Sequence, residues 1–162
     1  MQGLWGLLKK PIKYINFEGV QISVKNPANY LIINTMLINE QKCLIRNTVP
    51  YDQEENLIND MLTKGISKKI VIYGKNDVDE SVDKKYQQLL SLGFSEVYVY
   101  RGGMFEWLLL QDIYSATEFP TTSKILDLLA YRPKFSSAAP MGLQGWDLRS
   151  PTGSEATFEL SS

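Results

Sequence analysis

The run Ile70-Val71-Ile72-Tyr73 constrains the fold more than any other stretch of this chain. Four consecutive apolar residues with no polar alternation describe a strand covered on both faces, which is the environment of a parallel sheet. A polar loop follows, and then residues 81–92 place Val82, Tyr86, Leu89 and Leu90 on one side of a helix that Gly93 ends. The pattern recurs on both sides of this unit. Tyr30-Leu31-Ile32-Ile33-Asn34-Thr35 reads as a central strand, and Leu44-Ile45-Arg46-Asn47-Thr48-Val49 as a weaker one ended by Pro50. Residues 52–64 read as a helix with Leu57, Ile58, Met61 and Leu62 on one face, Asp52 as N-cap and Gly65 as its stop. Glu96-Val97-Tyr98-Val99-Tyr100 is a further strand, Phe105 to Ile113 a helix, and Ser123 to Ala130 the last helix. Strands alternating with helices imply an α/β domain around a mostly parallel sheet with helices on both faces. In such sheets, sites form outside the C-terminal ends of the strands.

The chain has 162 residues, enough for one domain with a real core. Three segments are expected: 1–17 as an N-terminal apolar segment, 18–135 as the domain, and 136–162 as a tail. The tail is dominated by Ser, Gly, Ala, Pro and Thr, has too few large apolar groups to bury against itself, and is expected to be disordered or to dock on a partner. Its anchors would be Trp146, Leu148, Phe158 and Leu160. Leu4, Trp5, Leu7 and Leu8 near the start read either as a strap on the domain's own core or as an attachment point.

Several chemistries are excluded by residue type. Histidine is absent and there is one cysteine, Cys43, so Ser-His-Asp and Cys-His catalysis, histidine metal sites and an internal disulfide all fall away. A net charge of −1 gives no bulk attraction to nucleic acid or an anionic membrane. No apolar run is long enough to span a bilayer, and the early sequence lacks the layout of a signal peptide, so a cytoplasmic protein is expected. No cofactor is expected, since neither a Walker loop nor G-x-G-x-x-G is present.

Two segments together carry a family resemblance. The first is Lys69-Ile70-Val71-Ile72-Tyr73-Gly74-Lys75-Asn76. The second is Gly93-Phe94-Ser95-Glu96-Val97-Tyr98, followed by Gly102-Gly103 and Trp107. In this order and spacing they resemble the rhodanese-like (sulfurtransferase) domain, over roughly residues 18–113. The resemblance implies a cysteine directly after the central strand, held in a cradle of backbone N–H groups at a helix N-terminus. Gly74 stands in that position here. The implied binding loop is Gly74, Lys75, Asn76, Asp77, Val78, Asp79, Glu80 and Ser81. It is nearer in length to the loop of the cell-cycle phosphatases that share the fold, which also require a cysteine and an arginine.

The loop's charges oppose the family's chemistry. Lys75 is set against Asp77, Asp79 and Glu80, which disfavour a bound anion and suit helix capping, with Asp79 or Ser81 as cap. The three acids lack the ligand set of a calcium loop, so no metal is expected. Arg101 is a candidate partner for Asp77 or Asp79, and Trp107 is expected in the core beneath the glycine pair. Cys43 reads as a buried, inert thiol, with a reactive thiol as the competing reading.

The favoured expectation is therefore a catalytically inactive rhodanese-like domain that binds another protein. The contacts would run through the acidic loop 75–80, the N-terminal apolar segment or the tail 136–162, with no nucleic acid and no membrane span. The competing expectation is a sulfurtransferase-type enzyme that uses Cys43 or another site.

Overall fold

The structure is a computed structural model that describes residues 10–134. The N-terminal apolar cluster and the tail 136–162 lie outside the described residues. Three parallel strands form the sheet in the order β1 (Tyr30–Asn34), β2 (Lys69–Tyr73), β3 (Val97–Tyr100). Leu31 pairs with Ile70 and Ile33 with Ile72, and on the other side Ile70 pairs with Val97 and Ile72 with Val99. Four helices accompany them: α1 (Phe17–Lys25), α2 (Tyr51–Lys64), α3 (Ser81–Ser91) and α4 (Gly103–Ile113). Short 3₁₀ turns occur at Ile38–Glu40 and Leu128–Tyr131.

Alternation along the strands separates two core layers. Leu31, Ile33, Ile70, Ile72, Val97 and Val99 pack against Ile58 and Met61 of α2 and Val82, Tyr86 and Leu89 of α3. On the opposite face Ile32, Val71, Tyr73 and Tyr100 pack against Val20 and Val24 of α1 and Met104, Trp107 and Leu108 of α4. The doubly covered parallel sheet expected from the apolar runs is what the structure has. None of the helices among the described residues is long and apolar enough to cross a membrane.

Both edges of the sheet carry single parallel bridges. Tyr14 bridges Val99, with Val99 N donating to Lys13 O (2.8 Å) and Ile15 N to Val99 O (3.0 Å). Thr48 bridges Ile32 on the far side, with Val49 N donating to Ile32 O (2.8 Å). The strand expected at 44–49 is reduced to isolated bridges, that one and an antiparallel one between Ile45 and Thr121. Asn47 adopts φ of 66°, a left-handed conformation that breaks extended pairing, and its side-chain amide donates to Val24 O.

Other boundaries also differ from expectation. The N-cap of α2 is Pro50, whereas Asp52 lies within the first turn. Residues 123–130 do not form a helix. Ser123 is held instead by its hydroxyl on Lys42 O and by Thr121 Oγ1 and Cys43 Sγ on its own carbonyl, leaving one 3₁₀ turn at 128–131. Helix α1 had no counterpart in the sequence reading. Its signals are Asn16, whose Oδ1 accepts from Gly19 N (3.0 Å), and buried Val20, Ser23 and Val24 at helical spacing.

Tyr73 ties β2 to the segment that carries Cys43. Its hydroxyl is fully buried, accepts from Ile45 N (3.1 Å) and lies 2.8 Å from Thr48 Oγ1, which itself donates to Ile45 O (2.6 Å). Burial pushes the phenol well above its ordinary range. Tyr73→Phe leaves Ile45 N without a partner and is expected to cost about 1–3 kcal/mol near neutral pH. Because the folded state raises this pKa, the neutral phenol's contribution is complete below about pH 10, the ordinary tyrosine value. It is lost as pH rises further. Urea melts of both proteins should therefore show a gap that narrows above that pH.

Candidate functional site

The C-terminal end of the central strand β2 runs into the loop Gly74–Ser81, and the loop folds back on one of its own carboxylates. Asp79 Oδ2 accepts from Lys75 N (2.9 Å), while Asp79 Oδ1 accepts from Ser81 N (3.0 Å) and Ser81 Oγ (2.6 Å). Thr35 Oγ1, beyond the end of β1, lies 2.7 Å from Ser81 Oγ. Asn76 organises the rest. Its backbone carbonyl accepts from Asp79 N, its Oδ1 from Val78 N, and its Nδ2 donates to Tyr131 O (3.0 Å).

This arrangement modifies the expected cap. The N-cap position of α3 is Glu80, which makes no side-chain cap bond. Asp79, one residue earlier, takes Ser81 N instead, and Ser81 acts as a donor. Asp79 is consequently half-buried, while Asp77 and Glu80 are exposed. The three acids separate into one internal ligand, Asp79, and two solvated charges, Asp77 and Glu80.

Gly74 is buried, and its missing side chain is part of the geometry. A Cβ there would lie 2.5 Å from Asp79 Oδ2, 2.9 Å from Asp79 Cγ and 3.0 Å from Val82 Cγ1. The space above the end of the strand is already taken by the Asp79 carboxylate. A second anion in contact with that carboxylate would be repelled. Two unit charges about 4 Å apart near a protein surface interact by about 4 kcal/mol. The α3 N-terminus supplies about 0.3–1 kcal/mol in favour of an anion, so repulsion wins.

The basic residues are also engaged. Lys75 Nζ lies 2.6 Å from Glu40 Oε1 and 5.9 Å from the centre of the Tyr131 ring. Arg101 does not meet Asp77 or Asp79. It pairs with Asp83 of α3 at 2.5 Å and lies over the Tyr14 ring. The tip of β3 faces the first turn of α3 and not the loop, so the nearest carboxylate wins.

Cys43 has no exposed surface, sits among Tyr73, Tyr131, Leu44 and Ile45, and donates through Sγ to Ser123 O (3.3 Å). It is not one of the groups that meet at the loop. Trp107 is fully buried, as expected. Its indole donates to Pro120 O, and its ring meets Tyr100 and Phe119 edge-on at 6.2 and 5.0 Å. The Tyr100 hydroxyl is the one buried side-chain polar atom among the described residues without a well-formed hydrogen bond; burial, and then the adjacent Glu106 carboxylate, push its phenol up. A cleft of about 510 Å³ between α4 and residues 121–128, lined by Arg46, Gln111, Lys124 and Ile125 among others, shares no residue with the loop. Among the described residues no three of His, Cys, Asp and Glu gather as metal ligands.

The start of α4 locks the loop from below. Met104 N donates to Gly74 O and Phe105 N to Lys75 O, both at 2.9 Å. Gly103 permits this approach, with φ of 64°, and a Cβ there would lie 2.7 Å from Gly74 O and 3.0 Å from Asn76 N. Gly103→Ala combines positive-φ strain with backbone overlap and is expected to cost at least about 2 kcal/mol, read as a lowered urea midpoint. Asp79→Ala removes a cap, is expected to cost about 1 kcal/mol, and should leave the fold intact by circular dichroism.

A family model described as "Rhodanese-like domain" matches residues 22–110. None of the curated proteins matches the chain in sequence. Among solved structures, the chain is similar to Saccharomyces cerevisiae Ygr203w, described as a homolog of single-domain rhodanese and the Cdc25 phosphatase catalytic domain. The identity is 15%, the TM-score 0.54, and the match covers 80% of this chain and 95% of that one. A second structure of Ygr203w, described as a yeast protein tyrosine phosphatase of the Rhodanese family, matches at 15% identity and a TM-score of 0.53, over 77% and 100% of the two chains. The Saccharomyces cerevisiae single-domain sulfurtransferase RDL2 matches at 15% identity over 67% of this chain and 98% of that one, with a TM-score of 0.47. At these identities the structural likeness speaks for the fold, and the family model covers more than half of the sequence. The chain belongs to the rhodanese-like domain family.

Proposed function

We propose that this is a catalytically silent rhodanese-like domain that acts as a protein-interaction module. The observation that carries the reading is the loop's own carboxylate. Asp79 takes the N–H groups of Lys75 and Ser81, in the space that a side chain on residue 74 would enter. We align Gly74 with the family's cysteine. On that alignment the position lacks a nucleophile and the space for one. The one thiol, Cys43, is buried away from solvent and bonded to Ser123 O. A scaffold without its chemistry can serve through its surface. Asp77 and Glu80 offer exposed negative charge at the sheet's C-terminal edge. In this reading the domain spans 18–135, and the N-terminal apolar segment and the tail 136–162 are further attachment points.

A thiosulfate-to-cyanide sulfur-transfer assay tests the proposal. The wild type and Cys43→Ser are expected to stay at background. Gly74→Cys alone should also stay at background, because the new side chain meets Asp79. Wild-type activity that Cys43→Ser abolishes would overturn the silent reading. Activity gained by Gly74→Cys alone would show that the carboxylate does not close the loop.

A further inference from the structure

The cleft of about 510 Å³ between α4 and residues 121–128 lies away from the loop and has a use of its own. Its volume falls in the range of small-molecule sites, about 300–1,000 Å³. Leu108, Ile125 and Leu128 make its apolar wall. Leu108 belongs to the buried core and the other two pack against it, so the wall is held from behind.

The charged residues in the lining are Arg46, Lys124 and Asp112, and none of them enters an ion pair among the described residues. The backbone pins Arg46 in place. Its N–H donates to Pro120 O (3.0 Å), Thr122 N donates to Leu44 O (2.8 Å), and Ile45 bridges Thr121 antiparallel. Arg46 Nη2 donates to Thr121 O (3.2 Å), and the guanidinium makes no other hydrogen bond among the described residues. Most of its N–H donors are therefore open to a carboxylate, whose two oxygens the planar fork matches. On the α4 side, Gln111 Nε2 donates to Phe119 O (2.7 Å) and Thr121 Oγ1 (3.1 Å). Both sides of the cleft are thus tied to residues 119–121 before any ligand arrives, which lowers the cost of binding.

Two cations against one acid give this lining a positive balance, in a chain whose net charge is −1. That balance calls for a ligand with a single negative charge. Asp112 disfavours a more highly charged anion, such as a phosphate chain or a nucleic acid.

We infer that this cleft binds a small organic monoanion, a carboxylate carried on an apolar body. The carboxylate meets Arg46 and Lys124, and the body lies on Leu108, Ile125 and Leu128. The inference goes beyond the interaction-module reading and does not depend on it, since the cleft shares no residue with the loop.

The test is amide chemical-shift mapping on the full chain with octanoate and three controls. Acetate lacks the apolar body, octanol lacks the charge, and octylammonium reverses it. Octanoate should move signals from residues 44–46, 108–112 and 121–128, and each methylene removed from it should weaken binding about two- to fourfold. Acetate and octylammonium should leave those signals in place, and octanol should bind at least about threefold more weakly than octanoate. Arg46→Gln should weaken octanoate about three- to tenfold. Lys124→Gln alters an exposed side chain that makes no hydrogen bond among the described residues, and should weaken it about two- to threefold with the spectrum otherwise unchanged. Asp112→Asn should tighten it, a direction that mere loss of packing would not produce. No shift with octanoate, shifts confined to another face, octylammonium binding as well as octanoate, or unchanged affinity in both Arg46→Gln and Lys124→Gln would overturn the inference.

Discussion

The Asp79 carboxylate is the interaction on which the C-terminal edge of the sheet depends. It gathers the Lys75 N–H, the Ser81 N–H and the Ser81 hydroxyl onto one charged acceptor. Bonds to an ionised acceptor are about twice as strong as neutral ones. With them the loop closes, α3 begins, and the Asp79 carboxylate occupies the space that a Cβ on residue 74 would enter. The start of α4 holds the loop's two leading carbonyls from below. One side chain thus sets the local structure of the loop and the space left above Gly74.

The sheet beneath is well suited to hold such a loop. β2 has neighbours on both sides and is fully buried from Ile70 to Tyr73, so its C-terminal end is a fixed platform. Tyr73 extends that rigidity sideways through Ile45 and Thr48. The same connection places Cys43 inside the α1–α4 layer, among the buried residues of that core. The family's layers persist, and the space above the strand is filled from within by the Asp79 carboxylate.

The central strands were legible in the sequence because burial on both faces leaves an unbroken apolar run, as in Ile70–Tyr73. The segment at 44–49 misled for a physical reason. Its apolar pattern is real, and Leu44, Ile45 and Val49 are buried, but Asn47 turns the backbone left-handed and spends its amide on Val24 O. Helix α1 was missed because its apolar positions, Val20 and Val24, are few and are mixed with exposed Ile22. At the loop, the sequence pointed to Gly74 and to Asp79 or Ser81 as cap, but not to a carboxylate folded in over Gly74 with Ser81 as its donor. That depends on Lys75 N and Ser81 N converging on one point, a three-dimensional fact. Arg101 escaped for the same reason, since Asp83 becomes its neighbour only once α3 lies beside β3.

The most direct measurement is a crystal structure of the wild-type protein grown with thiosulfate in large excess. If the loop is filled by its own carboxylate, density will show Asp79 bonded to the Lys75 and Ser81 amides, with no sulfur-bearing anion above Gly74. Thiosulfate seated in the loop with the Asp79 side chain swung out to solvent would contradict the account. It would show a site that opens to an anion after all.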